Sequence, residues 1–210
     1  MTKRDLNEIE RFFNPEPTTK LPTKLTVGFK RLTDDAVIPT KAHVGDSGYD
    51  LVASEDIIVE PGETVVVKTG IAVQLPPGYE ATVRPRSGVT SQTPIRVQVG
   101  TIDNGYTSEV GVIVDNTSQL TYEIENYGHG PELDVVHHNA LYTIDKSGTV
   151  YEGSLLSDES VPVGTYIIRK GNKIAQLVIT KLPTLEAVEI TELDASERGD
   201  NGFGSSGVSV

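Results

Sequence analysis

Asp103 and Tyr106 stand on either side of Asn104-Gly105 in the stretch GTIDNGYTSE, residues 100–109. An Asn-Gly pair is a strong signal for a two-residue type I′ turn, because both central positions need positive φ. Residues flanking such a turn face each other across the hairpin and send their side chains to one face. The spacing therefore predicts a carboxylate and a phenol side by side at a rigid tip. Taken alone, the pair is also what a turn-favouring Asp and a strand aromatic would leave behind.

Three other stretches offer groups suited to an anion. Arg86-Ser87-Gly88, in RPRSGV, presents a guanidinium, a hydroxyl and an unhindered backbone N–H in succession, and a glycine lets phosphate oxygens approach the chain closely. Gln176, in RKGNKIAQL, is a side-chain amide donor after a predicted turn. The chain ends in RGDNGFGSSGVSV, where Gly202 to Gly207 fits G-x-G-x-x-G. That fingerprint holds a pyrophosphate only when a helix follows it, and Val208-Ser209-Val210 cannot make one. A Gly/Ser tail remains, or an arm that closes backbone amides on a phosphate. His137-His138 invites a metal, but neighbours on a strand point to opposite faces, so the rings are expected not to converge.

Short strands must position these groups. Residues 56–85 alternate β-branched runs with turn pairs at Pro61-Gly62 and Pro77-Gly78, and IRVQVGTID, EVGVIVDN, GTYIIRKGN and KIAQLVITKL continue the rhythm. Such spacing reads as an all-β barrel or sandwich. Between the ends only RSGVTSQ is helix-like. Leu6, Ile9, Phe12 and Phe13 recur at helical spacing before Pro15, which predicts a short amphipathic helix in an N-terminal extension, residues 1–24. Residues 115–163 differ from the rest, with nine acidic side chains against one base, Lys146. Within them ALYTIDKSGTVYEG predicts a hairpin around Lys146-Ser147-Gly148.

The 210 residues suit one domain with appendages. Eighteen basic against thirty acidic residues give a net charge of −12, which repels a phosphate backbone and argues against nucleic-acid binding. A polyanionic substrate would need arginines gathered locally, together with a divalent cation. The chain has no cysteine, hence no disulfide or thiolate chemistry. No apolar run approaches a membrane span and the N-terminus lacks a signal-peptide core, so a cytoplasmic protein without membrane contact is expected.

Taken together, SGYDL (47–51), RSG (86–88), GTIDNGY (100–106), GNKIAQL (171–177) and RGDNGFGSSG (198–207) resemble, in order, the five motifs of the trimeric dUTPase family. Five independent motifs in register make the match specific. The resemblance implies a dUTPase-like jelly-roll or β-clip barrel over residues 25–192, interrupted by the insert 115–163, and a Gly-rich arm over 193–210 that closes the active site. It implies a homotrimer that hydrolyses dUTP to dUMP and pyrophosphate, with Mg2+ carried mainly on the substrate and no protein metal site. Asp103 would activate the water attacking the α-phosphorus, and Tyr106 would pack on the deoxyribose and exclude a 2′-hydroxyl. Gly100, Thr101 and Ile102 would read the uracil edge. Arg86, Ser87, Gly88 and Gln176 would hold phosphate oxygens. In the arm, Arg198, Ser205 and Ser206 would close on the γ-phosphate beside Gly204, with Phe203 stacked on the base. Asp50 would support the cation's water shell or a neighbouring arginine.

Two departures stand out. Asn172 and Lys173 replace an Asp-Arg pair common in the fourth motif, which is expected to weaken or remove an ion pair. The insert lengthens a connection that is normally short, as in phage members of the family, which would act in the host cytoplasm. Two alternatives follow: a dCTP deaminase-like enzyme of the same fold, disfavoured by Asp103 with Tyr106, and a regulatory module that binds another protein through the insert.

Overall fold

The computed structural model describes residues 25–127, 130–138, 140–145, 149–150, 160–196 and 199. Its architecture is all-β, as expected. The only helix among the described residues is one turn, α1 (Ser87–Thr90), inside the helix-like stretch. Residues 56–85 become β3 (Ile57–Val59), β4 (Thr64–Val67), β5 (Ile71–Gln74) and β6 (Tyr79–Pro85), with Gly62 and Gly78 at φ 80 and 77 in the predicted turns.

The sheet that carries most of the site runs in the order β2 (Gly48–Val52), β17 (Lys173–Lys181), β6, β8 (Gly100–Ile102). Its long central strand β17 pairs antiparallel with both β2 and β6. Facing it across the core are β4, β9 (Val112–Asn116) and β7 (Ile95–Val97), in that order, while β1 (Gly28–Arg31) pairs with β5. The period of two is plain in the burial. Val112 and Val114 are inaccessible while Ile113 between them is exposed, and Ala175 and Leu177 are buried on either side of Gln176. Each fully buried Val or Leu contributes about 1.5–3 kcal/mol, which fixes the register and so decides which face Gln176 shares with Asp50 and Arg84, its cross-strand partners.

The acidic insert is built into this body. Its β10 (Tyr122–Tyr127) and β11 (Gly130–Val135) form a hairpin apart from the other sheets. Its β13 (Leu141–Thr143) lies parallel to β16 (Tyr166–Ile168), which pairs with β3, so the insert widens a body sheet. Leu141, Val161 and Ile167 make a second small core with Ile58. The insert's two ends are joined by one side chain: buried Asn116 donates to the carbonyls of Val59 (2.9 Å) and Gly164 (2.8 Å) and accepts from Ser118 N–H (3.0 Å). The limbs of the predicted hairpin pair as Leu141↔Val150 and Tyr142↔Thr149, the latter two residues forming β14 (Thr149–Val150); its tip, Lys146-Ser147-Gly148, lies outside the described residues.

His137 and His138 form the two-residue strand β12, paired with β15 (Val161–Pro162). His137 Nδ1 lies 2.6 Å from the Val135 carbonyl, and the His138 ring packs on Tyr142. No group of three or more His, Asp and Glu side chains placed to hold a metal occurs among the described residues. Among them no helix is long and apolar enough to cross a membrane. The N-terminal helix expected from Leu6, Ile9, Phe12 and Phe13 lies outside the described residues.

Candidate active site

Strand β8 brings Gly100, Thr101 and Ile102 to the edge of the four-stranded sheet, where Thr101 pairs with Thr82 and Ile102 with Ala81. The chain then turns: Tyr106 N–H donates to the Asp103 carbonyl at 3.1 Å, and Gly105 sits at φ 95. A Cβ at Gly105 would meet nothing, so backbone conformation alone reserves the position for glycine. The strand ladder expected across this turn does not form. β8 pairs with β6, whereas Glu109 on the outgoing limb bridges to Ala72 of β5. The limbs enter different sheets, and the turn's own hydrogen bond keeps Asp103 near Tyr106.

Side-chain contacts that the sequence did not reveal lock this turn. Asn104 Nδ2 donates to the carbonyls of Pro76 (2.8 Å) and Tyr79 (3.2 Å), pinning the tip to the β5–β6 connection. The Tyr106 hydroxyl donates to the Glu109 carbonyl at 2.9 Å. Glu109 is held in turn, its Oε1 accepting from the N–H groups of Gly70 (2.7 Å) and Thr69 (3.1 Å). The result is a cavity of about 250 Å³ with an apolar floor of Val83, Ile102 and Val110, lined also by Asp103, Tyr106 and Thr101. Because β8 is an edge strand, backbone N–H and C=O groups remain available on its open side.

The groups expected to meet an anion assemble elsewhere on the same sheet. Asp50 on β2 is largely buried, with its Oδ2 2.8 Å from Lys173 Nζ and its Oδ1 3.3 Å from Arg86 Nε. Arg86 also donates from a terminal guanidinium nitrogen to the Lys173 carbonyl at 2.9 Å. Lys173 makes an ion pair with Asp50 across the strand pair; the Asp-Arg pair expected to be lost at the fourth motif is a separate contact. Asn172 shapes the preceding turn: its Oδ1 accepts from Arg169 N–H, and its own N–H donates to the Arg169 carbonyl, both at 2.9 Å. Gln176 donates to the Pro85 carbonyl at 3.0 Å and lies across Gly48, where a Cβ would come 2.7 Å from Gln176 Oε1. The absent side chain is what lets the amide lie flat.

Arg86, Gly88 and Lys173 line a cavity of about 430 Å³, and its far wall comes from the insert, through Ile144 and Asp145. Space around the Gly88 Cα is open. Ser87 opens α1 beside it. This cavity shares no lining residue with the one at Asp103, so within one chain the two halves are separate. Arg198, Phe203, Gly204, Ser205 and Ser206 lie outside the described residues.

The fold is all-β, with a turn-borne carboxylate at one cavity and Arg86 and Lys173 at another, and comparison with known proteins supplies the family. The dUTPase family model matches residues 34–129 and 164–207 and leaves most of the insert unmatched. A deoxyuridine 5′-triphosphate nucleotidohydrolase of Clostridioides difficile is 34% identical over 85% of this chain and 95% of its own. The dUTPase of Staphylococcus bacteriophage 80alpha, solved with dUPNHPP and described among phage dUTPases that control transfer of virulence genes, is 35% identical with a TM-score of 0.72, covering 87% of this chain and 99% of that one. The dUTPase of phage phi11 of S. aureus, solved to visualise a species-specific insert, is 30% identical with a TM-score of 0.68, covering 81% and 99%. The chain belongs to the dUTPase family.

Proposed function

We propose that the chain hydrolyses dUTP to dUMP and pyrophosphate in the cavity at Asp103. The Asp103 carboxylate accepts a proton from water as its oxygen attacks the α-phosphorus; the bond to the bridging oxygen breaks, and pyrophosphate leaves. Uracil meets the open backbone edge of Gly100, Thr101 and Ile102. Tyr106, its hydroxyl tied down by Glu109, packs on the deoxyribose and leaves no room for a 2′-hydroxyl. Arg86, Ser87, Gly88 and Gln176 take phosphate oxygens, and the arm with Arg198, Phe203, Gly204, Ser205 and Ser206 closes over them. Asp50 holds Arg86 and Lys173 in place.

Magnesium supplies charge neutralisation on the polyphosphate when bound. With both Asp50 oxygens against cations, the chemistry of the donor set favours a metal carried by substrate phosphates over a protein cage.

The observation that carries this reading is Asp103 and Tyr106 on the wall of one small cavity whose other wall is an open strand edge. Pyrophosphate release should be seen with dUTP and not with dTTP, dCTP or UTP. Ammonia release from dCTP would instead identify the deaminase.

The protein is read as a homotrimer, a reading supported by the separation of the two cavities within one chain. If the Asp103 cavity of one copy is completed by the Arg86 cavity of another, mixing inactive Asp103→Asn with inactive Arg86→Ala chains restores activity in mixed oligomers. Wholly inactive mixtures would show that each site is built within one chain.

A second role rests on the hairpin β10–β11. Tyr122, Ile124 and Leu133 are exposed, and Ile124 pairs with Leu133, giving an apolar face that no described residue covers. With phage dUTPases that control gene transfer among its relatives, this chain is read as phage-encoded and as acting on a host-cytoplasmic protein through that hairpin. Val136 N–H donates to the Thr121 carbonyl at 2.8 Å, so residues 121–136 can be removed without touching β13. The deletion should abolish partner capture and leave dUTP hydrolysis intact; capture by the deleted protein would end this reading.

A further inference from the structure

We propose that Asn104 is a positioning residue for Asp103: its side-chain amide clamps the turn, so that the neighbouring carboxylate keeps its place on the cavity wall. This rests on reading Asp103 as the base that serves the attacking water. Asn104 is exposed, where water could satisfy its amide. Nδ2 donates instead to two carbonyls of the body, Pro76 at 2.8 Å and Tyr79 at 3.2 Å. A primary amide nitrogen carries two N–H groups, one for each carbonyl.

The path of the chain is what makes a clamp necessary. In an ordinary hairpin, ladder bonds between the two limbs hold the tip. Here β8 joins β6, while Glu109 bridges to Ala72 of β5, so the limbs diverge into different sheets. The bond from Tyr106 N–H to the Asp103 carbonyl sets the shape of the turn, but it ties the turn to neither sheet. The Asn104 amide does, because Pro76 and Tyr79 span the connection between β5 and β6, the two strands that receive the limbs. That connection is itself stiff. Pro76 and Pro77 have fixed φ, Gly78 sits at φ 77 with its carbonyl accepting from Leu182 N–H at 2.8 Å, and Tyr79 opens β6 opposite Lys181 of β17. Asp103, one residue before Asn104, is thereby fixed relative to β6 and β17, the central strands of the sheet. A misplacement of about 1 Å at a reacting centre can cost about 100-fold in rate. Asn also favours turns through its backbone alone, and glycine shares that preference. Asn104→Gly therefore keeps a turn-compatible residue while removing both donors.

The test is single-turnover pyrophosphate release from dUTP with magnesium by full-length Asn104→Gly, beside calorimetric titration of an imido analogue of dUTP. Release should slow about 10- to 100-fold, with analogue affinity within about twofold of the parent's. In an Asp103→Asn background the same substitution should change the residual rate less than about threefold, because residues that act as a unit are not additive. A parental rate in Asn104→Gly overturns the proposal and leaves Asn104 a turn former only. An analogue affinity that falls as far as the rate overturns it as well, since the loss then lies in binding. Equal slowing in both backgrounds does the same, by routing the effect past Asp103. If Asp103→Asn turns over like the parent, the reading of the base falls and takes the proposal with it. If Asp103→Asn is slow and Asn104→Gly is not, only the role of Asn104 falls.

Discussion

Lys173 Nζ lies 2.8 Å from Asp50 Oδ2, on a carboxylate whose other oxygen faces Arg86 Nε at 3.3 Å. One largely buried acid on β2 thus spaces two cations that would otherwise repel each other, and it does so beside the cavity read as phosphate-binding. Asp50→Asn should lower kcat/KM for dUTP about 10- to 100-fold, chiefly through KM, and cost about 1–2 kcal/mol of stability. Steady-state kinetics and denaturant unfolding check the two effects separately.

Glu109 acts one step behind Tyr106. Its carboxylate caps the N–H groups of Gly70 and Thr69, and its carbonyl takes the Tyr106 hydroxyl. Glu109→Ala should cost about 2–3 kcal/mol by leaving two amides without their acceptor. It should also relax discrimination between dUTP and UTP, measured as the ratio of their kcat/KM values.

Asn116→Leu should destabilise the protein by about 3 kcal/mol, since three hydrogen bonds are lost at a buried position. Hydrogen exchange should show protection falling first in the β13–β16 pairing, which the Asn116 amide ties to β3 and Gly164.

The Lys170 N–H, followed by Arg169, holds the Asp56 carboxyl below its ordinary value of 3.8, against an opposing effect of burial. A carboxyl whose folded pKa is depressed contributes stability that is full above the unfolded pKa and is lost as pH falls through the folded one. Stability should therefore decline as pH drops below about 3.8, and Asp56→Asn should flatten part of that decline. Unfolding midpoints between pH 2 and 6, chosen as roughly the range in which carboxylates titrate, provide the check.

The strand rhythm and the Asp103–Tyr106 turn were legible because both depend on neighbours in sequence: alternation of β-branched residues, and an Asn-Gly that must bend. The missing ladder across the turn was not legible, because where Glu109 goes is settled by its bridge to Ala72, far away in the chain. The Lys173–Asp50 ion pair was not legible either, because Asp50 stands more than a hundred residues earlier, on a strand whose pairing with β17 only the fold reveals. A usable signal existed: a base opening a buried strand, near Gln176, in a strongly acidic chain. The parallel pairing of β13 with β16 was hidden for the same reason, so a stretch legible only as a local hairpin proved also to extend a body sheet.

The most direct test of the account is single-turnover pyrophosphate release from dUTP by Asp103→Asn, with magnesium present and substrate binding measured alongside. A positioned general base contributes about 10²–10⁴-fold. The account predicts a loss of that size in the chemical step, with dUTP affinity little changed. Turnover equal to that of the parent protein would contradict it.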